Sequence, residues 1–182
     1  KDVPSTVRQV QQLYEAGCEI VRLAVPDMEA VEGFKEIRLR VSPPLIADVH
    51  FDHRLAIAAL KAGADGLRVN PGNIGGRKAV EKAIKEADAR DIPIRIGVNA
   101  GSLPQNILKK HGHPSPEAMV ESALDFIKLF EELGFEKIKV SLKSSNVLNT
   151  IAAYEMLSEQ TDYPLHLGVT EAGTLISGTV KN

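Results

Sequence analysis

The chain has 182 residues, 43% hydrophobic and 25% charged, which is enough for one sizeable core and carries no low-complexity or disordered signature. Lys and Arg number 22 against 24 Asp and Glu, a formal net charge of -2, so neither nucleic acid nor an anionic membrane surface is an expected partner and any basic site must be local. No apolar run approaches the roughly 18 residues a membrane span needs, "KDVPSTVRQV" lacks the apolar core of a signal peptide, and the single Cys18 excludes an intrachain disulfide. A cytoplasmic protein is expected, with Cys18 as a small core residue.

Along the chain, short apolar strands alternate with amphipathic helical stretches about six times. The expected strands are "CEIVRLAV", "PLIADVH", "DGLRVN", "IPIRIGVN", "EKIKVSLK" and "PLHLGVT". Between them, Ala79, Val80, Ala83, Ile84 and Ala87 share one helical face, as do Met119, Ala123, Ile127 and Phe130. Ser115 followed by Pro116 reads as an N-cap and first turn. "GSLPQNILKKHGHPSP" reads as a long polar segment with solvent-exposed His111 and His113, and Asn73 reads as a possible N-cap. Alternation of this kind is the signature of parallel βα units.

The strands are also related to one another. "AGCEIVRLAV", "AGADGLRVNP" and "LGFEKIKVSL" align without gaps and put Arg22, Arg68 and Lys139 at one equivalent place, while "PPLIADVH", "IPIRIGVN" and "YPLHLGVT" form a second type. A two-unit repeat favours a (β/α)₈ barrel over a doubly wound sheet. The expected fold is therefore α/β, a partial TIM (β/α)₈ barrel with about six βα units, its first strand and last unit missing. Residues 1–182 are expected to make a single substrate-binding domain, a fragment of a longer protein.

Successive strand residues face opposite sides, so one face of each strand is apolar and packs under the helices. The other face collects Arg22, Asp48, His50, Arg68, Asn70, Arg95, Asn99, Lys137, Lys139, Ser141, His166 and Thr170, and in a barrel it points inward. Four cations, Arg22, Arg68, Arg95 and Lys139, would then converge, with Asp48 as the in-strand carboxylate and Glu171 just beyond a strand end. An uncompensated buried cation costs several kcal/mol, so such a cluster implies an anionic occupant. Two phosphate groups suit it best, because arginine forks bind phosphate bidentately. Barrel enzymes work at the C-terminal ends of their strands, where Asn70, Asn99, Ser141 and Glu171 fall, and where the "NPGN" and "NAGS" turns add backbone N–H groups.

Blander readings stand beside these. Any one inward cation can belong to a structural ion pair, Asp48 can simply balance Arg22 or Arg68, and His166 can be a hydrogen-bonded core histidine. Three other functions fit parts of the pattern: a metal-dependent hydrolase using His50, Asp52, His53 and His166, a Schiff-base aldolase using Lys139, and a non-catalytic diphosphate-binding module.

"IADVHFDHR", "LRVNPGNIG", "IPIRIGVNAGS", "KVSLKSS" and "PLHLGVTEAG", in this order between residue 1 and about residue 178, resemble the barrel motifs of the 4-hydroxy-3-methylbut-2-en-1-yl diphosphate synthases of the non-mevalonate isoprenoid pathway. The resemblance implies an iron–sulfur oxidoreductase that converts 2-C-methyl-D-erythritol 2,4-cyclodiphosphate into the linear hydroxymethylbutenyl diphosphate with two electrons. It implies that Arg22, Arg68, Arg95, Asn99 and Lys139 hold the diphosphate and that Asp48, His50, Asn70 and Glu171 line the same pocket, with Glu171 near the reacting hydroxyl as proton donor or hydrogen-bond partner and Asp48 as the other candidate donor. Ser141 and His166 are expected substrate contacts from the strand pattern. It further implies a [4Fe–4S] cluster held by three cysteines and a glutamate in a C-terminal domain absent from this chain, a flavodoxin or ferredoxin electron donor, and a homodimer of the full-length protein. Here the chain departs from the family, because Cys18 is its one cysteine.

Overall fold

The structure is a computed structural model that describes residues 2–49, 52–70 and 76–182. The packing divides into two compact units, Lys1–Val69 with Asn73–Ile94, and Asn70–Gly72 with Arg95–Asn182.

The first unit runs α1 (Val3–Glu15), β1 (Val21–Ala24), α2 (Met28–Arg38), β2 (Leu45–Val49), α3 (His53–Lys61), β3 (Gly66–Val69) and α4 (Arg77–Asp88). Its strands are parallel and adjacent in chain order, with Val21 opposite Leu45 and Asp48 opposite Arg68. The carboxylates of Asp2, Asp27 and Asp52 cap the first three helices by accepting from Ser5, Ala30 and Arg54 backbone N–H groups. As the alternation predicts, Val21, Leu45, Ala47, Val49, Leu67 and Val69 are buried, together with Phe34, Leu60, Val80, Ala83 and Ala87 of the covering helices. Burial of this apolar face is the main stabilisation of the unit.

The second unit holds most of β4 (Ile94–Asn99), a 3₁₀ turn (Ala100–Ser102), α5 (Gln105–His111), α6 (Pro116–Glu132), β5 (Ile138–Lys143), α7 (Val147–Ser158) and α8 (Leu175–Lys181). Ser115 caps α6 as expected, its Oγ accepting from Ala118 N–H at 3.2 Å. Ile96, Val98, Met119, Ala123, Ile127, Val140 and Leu142 are buried, and Phe130 meets Phe135 edge-on with centroids 6.0 Å apart.

The sequence repeat has a backbone counterpart at the helix ends. Gly17, Gly63 and Gly134 all take positive φ, and each ends its helix with the same pair of hydrogen bonds. Gly17 N–H donates to Tyr14 C=O and Cys18 N–H to Leu13 C=O, with matching bonds at Gly63–Ala64 and Gly134–Phe135. Asp91, at φ 59, closes α4 in the same way, its N–H reaching Asp88 C=O and that of Ile92 reaching Ala87 C=O.

Four expectations need correction. "PLHLGVT" does not form a sixth strand but pairs through one parallel bridge, Val140 with Leu165. The cause is Tyr154: its hydroxyl accepts from Leu142 N–H at 3.0 Å and donates to His166 C=O at 2.5 Å, standing where the next ladder bond would run. The polar segment after β4 contains a turn and α5. Within it His111 is not freely exposed, since its Nε2 lies 2.8 Å from Glu121 Oε2, which Lys110 also meets. Cys18 is half-buried rather than in the core. Asn73 lies outside the described residues, and α4 starts behind Gly76.

Candidate functional site

In the first unit the polar face of the sheet brings together Arg22, Asp48 and Arg68. Register explains the arrangement: Asp48 sits opposite Arg68 on the neighbouring strand, whereas Arg22 lies opposite Ile46, two residues earlier on the same face of β2. Neighbouring strands are about 4.8 Å apart, within reach of a short lateral pair, and a long guanidinium spans the diagonal. Asp48 thus accepts from both, from Arg68 Nη1 at 3.0 Å through Oδ1 and from Arg22 Nη1 at 2.5 Å through Oδ2. Arg68 and Asp48 are 3% and 6% exposed, while the Arg22 side chain is about half exposed (48%).

This arrangement revises the charge argument. Asp48 balances both arginines at once, so the trio carries one net positive charge rather than two uncompensated ones. A buried aspartate shared by two arginines holds one Nη1 of each and so restrains where both guanidinium groups point. His50 lies outside the described residues.

In the second unit Asn70 and Ser141 are 3% and 2% exposed. Arg95 and Asn99 are half-buried on β4, and Lys139 is exposed on β5. Burial pushes the Tyr154 phenol up, against the hydrogen bond from Leu142 N–H and the charge of Arg95, which both lower it. His166 is exposed, which removes the core-histidine reading, and its backbone N–H donates to Val140 C=O at 2.8 Å. Glu171 is exposed with φ 51, a left-handed conformation that costs a side-chain-bearing residue roughly 1–2 kcal/mol. Strain of this kind concentrates at functional positions.

Ser102 is the last residue of the "NAGS" turn, absent from the expected contacts. Its hydroxyl accepts from Asn70 Nδ2 at 2.9 Å and donates to Asn99 C=O at 3.4 Å, linking two of the expected substrate contacts. A serine three residues after a strand-end asparagine is the signal available for it, because that spacing is one turn.

Of the hydrolase set, His50 lies outside the described residues, and Asp52 and His53 lie side by side, His53 Nδ1 being 3.6 Å from Asp52 Oδ1. Asp52 caps α3 and also accepts from Arg54 Nε and Nη2, which hold its carboxyl below the usual range, and His53 is the first residue of α3. Among the described residues no group of three or more His, Cys, Asp or Glu could hold a metal ion. Among the same residues no helix is long and apolar enough to cross a membrane.

Comparison with known proteins bears on both fold and family. The solved HMG-CoA lyase from Brucella melitensis superposes with a TM-score of 0.66 at 15% identity, covering 100% of this chain and 70% of that one. Dihydropteroate synthase from Yersinia pestis gives 0.66 at 14%, covering 98% and 70%. These likenesses concern the fold alone. In sequence, proteins named 4-hydroxy-3-methylbut-2-en-1-yl diphosphate synthase (flavodoxin) are 56% identical in Maridesulfovibrio salexigens and 58% identical in Lawsonia intracellularis, each over 182 residues, which is 100% of this chain and 51% of each relative. The chain spans about half the length of the curated relatives it matches. The model of the GcpE TIM-barrel domain matches residues 1–182. With parallel βα units, a repeat of period two and this match over its whole length, the chain belongs to the GcpE TIM-barrel domain family.

Proposed function

We propose that this chain is the substrate-holding barrel of an enzyme that reductively converts 2-C-methyl-D-erythritol 2,4-cyclodiphosphate to (E)-4-hydroxy-3-methylbut-2-enyl diphosphate in isoprenoid biosynthesis. One observation carries the reading: identity of 53–58% over the chain to relatives that bear this synthase name. The reaction consumes two electrons and two protons, opens the cyclic diphosphate at one C–O bond and releases one oxygen as water.

The chain's own part in it is to bind and orient an anion and to place a proton. Arg22 and Arg68 in the first unit, and Asn70, Arg95, Asn99, Lys139, Ser141 and His166 in the second, are the proposed substrate contacts, with His50 added from the sequence pattern. Arginine is the side chain suited to two phosphate groups, and Asp48 orients two of these arginines. Glu171 is the proposed proton donor, supported by its exposure and its strained backbone. Asp48 is the weaker candidate, because both of its oxygens are engaged by guanidinium groups.

A [4Fe–4S] cluster would supply the electrons, but the described residues do not fit one: they offer no metal-holding group, and Cys18 is the one cysteine. Its ligands would have to come from elsewhere in the full-length protein. Flavodoxin is the proposed donor, as the relatives' name supports, and a cytoplasmic homodimer is the proposed state.

The test is steady-state reduction of the cyclodiphosphate by the full-length protein with reduced flavodoxin, wild type against Glu171→Gln. Turnover by wild type and a loss on the order of 10²–10⁴ in the variant, with substrate binding kept, is expected. No turnover by wild type would replace this reading with a non-catalytic diphosphate-binding module, and a borohydride-trappable adduct at Lys139 with a ketone substrate would replace it with the aldolase one.

A further inference from the structure

We infer that Ser102 is a positioning residue that fixes the amide orientation of Asn70. The inference rests on the proposed function in one respect: it takes Asn70 as a substrate contact.

Donors and acceptors set the orientation. A serine hydroxyl has one proton to give and two lone pairs to receive with. The Asn99 main-chain oxygen can only accept, so the bond between it and Ser102 Oγ consumes the serine's proton. What Ser102 then turns toward Asn70 is a lone pair, which pairs with the amide Nδ2 and repels Oδ1. The direction of the chain, Asn70 N–H to Ser102 O–H to Asn99 C=O, is therefore determined by the backbone carbonyl at its end. Asn70 is 3% exposed, so solvent contributes little to holding its amide, and a flipped amide would put two oxygens face to face.

Local structure supplies the linkage. Asn70 directly follows β3, and Asn99 ends β4, after which the chain enters a 3₁₀ turn instead of a long loop. One such turn carries Ser102 back over Asn99, three residues on, which places its hydroxyl between the two asparagines. Ser102 thereby ties the side chain of one proposed substrate contact to the backbone of another.

The experiment uses the full-length protein with Ser102→Ala, Ser102→Thr and Asn70→Ala, the double variant Asn70→Ala/Ser102→Ala, and two readouts. The first is calorimetric titration with the cyclodiphosphate. Ser102→Ala should weaken binding about two- to tenfold, the effect of one net hydrogen bond. Ser102→Thr should restore wild-type binding, and Ser102→Ala should cost nothing further on the Asn70→Ala background. The second readout is the side-chain amide resonance of Asn70 in the ligand-free protein, which Ser102→Ala should shift and Ser102→Thr should leave in place. An unshifted resonance in Ser102→Ala overturns the positioning role, as does equal weakening with and without Asn70. If wild type fails to bind the cyclodiphosphate, the proposed function falls, while the amide readout still decides the role of Ser102.

Discussion

Replacing Asp48 by Asn removes the carboxylate that two arginines share while keeping the shape of the side chain. The Asp48–Arg68 pair is nearly sealed from solvent, its side chains 7% and 4% exposed and 3.0 Å apart. Breaking such a buried pair costs about 3–5 kcal/mol. The arm to Arg22 is half exposed and adds at most about 1 kcal/mol. The asparagine oxygen still accepts one hydrogen bond, which returns part of the loss, so the net destabilisation works out near 3 kcal/mol. For a domain of this size that lowers Tm by about 6–12 °C. Urea unfolding followed by circular dichroism, on the full-length protein without ligand, reads the loss as a lower midpoint at unchanged slope. Adding the cyclodiphosphate should recover part of it, because an anion bound to the folded state takes over the role of the missing carboxylate. A variant within about 0.5 kcal/mol of wild type would refute the reasoning, since surface substitutions produce changes no larger.

Other expectations concern single contacts. Asp91→Gly should raise stability by about 0.5–1 kcal/mol in the same unfolding assay, because Asp91 occupies at φ 59 the helix-ending position that glycine fills in three sister units. Tyr154→Phe should cost about 1–3 kcal/mol, since it leaves Leu142 N–H and His166 C=O without the hydroxyl between them, and amide exchange at Leu142 should accelerate. Hydrogen bonds from Lys110 and then His111 hold the Glu121 carboxyl below its ordinary 4.5. Its contribution is therefore present above pH 4.5 and lost as pH falls through the lower folded value, so amide protection of α5 should drop in acid in wild type but not in Glu121→Gln.

The alternation of apolar and polar strand residues made the five strands and their buried faces legible, because period two leaves Val21, Leu45, Leu67, Ile96 and Val140 no other side to face. The repeat of "AG" or "LG" before a strand was legible too, and it marks real helix ends at Gly17, Gly63 and Gly134. Asp91 does the same work without a glycine, so nothing in the letters announced it. The sixth strand failed for a long-range reason: "PLHLGVT" has strand character, but a tyrosine from α7 inserts its hydroxyl into the ladder, and sequence does not reveal which side chain will reach a backbone bond. The charge cluster was legible as residue types and misjudged in balance. Pairing Asp48 with two arginines depends on strand register, which the pattern suggests and only the folded sheet fixes. Ser102 escaped notice because its importance lies in a proton's direction rather than in residue type.

The account's central claim, that this domain holds a diphosphate through oriented arginines, is tested most directly by calorimetric titration of the full-length protein with the cyclodiphosphate and with uncharged 2-C-methylerythritol, at low and high salt, in wild type, Arg68→Lys and Arg95→Lys. The account predicts binding of the cyclodiphosphate alone, weakening as salt rises, and a further loss of roughly 1–3 kcal/mol in each lysine variant although charge is kept. Equal affinity for the uncharged polyol, or unchanged affinity in both lysine variants, would contradict it.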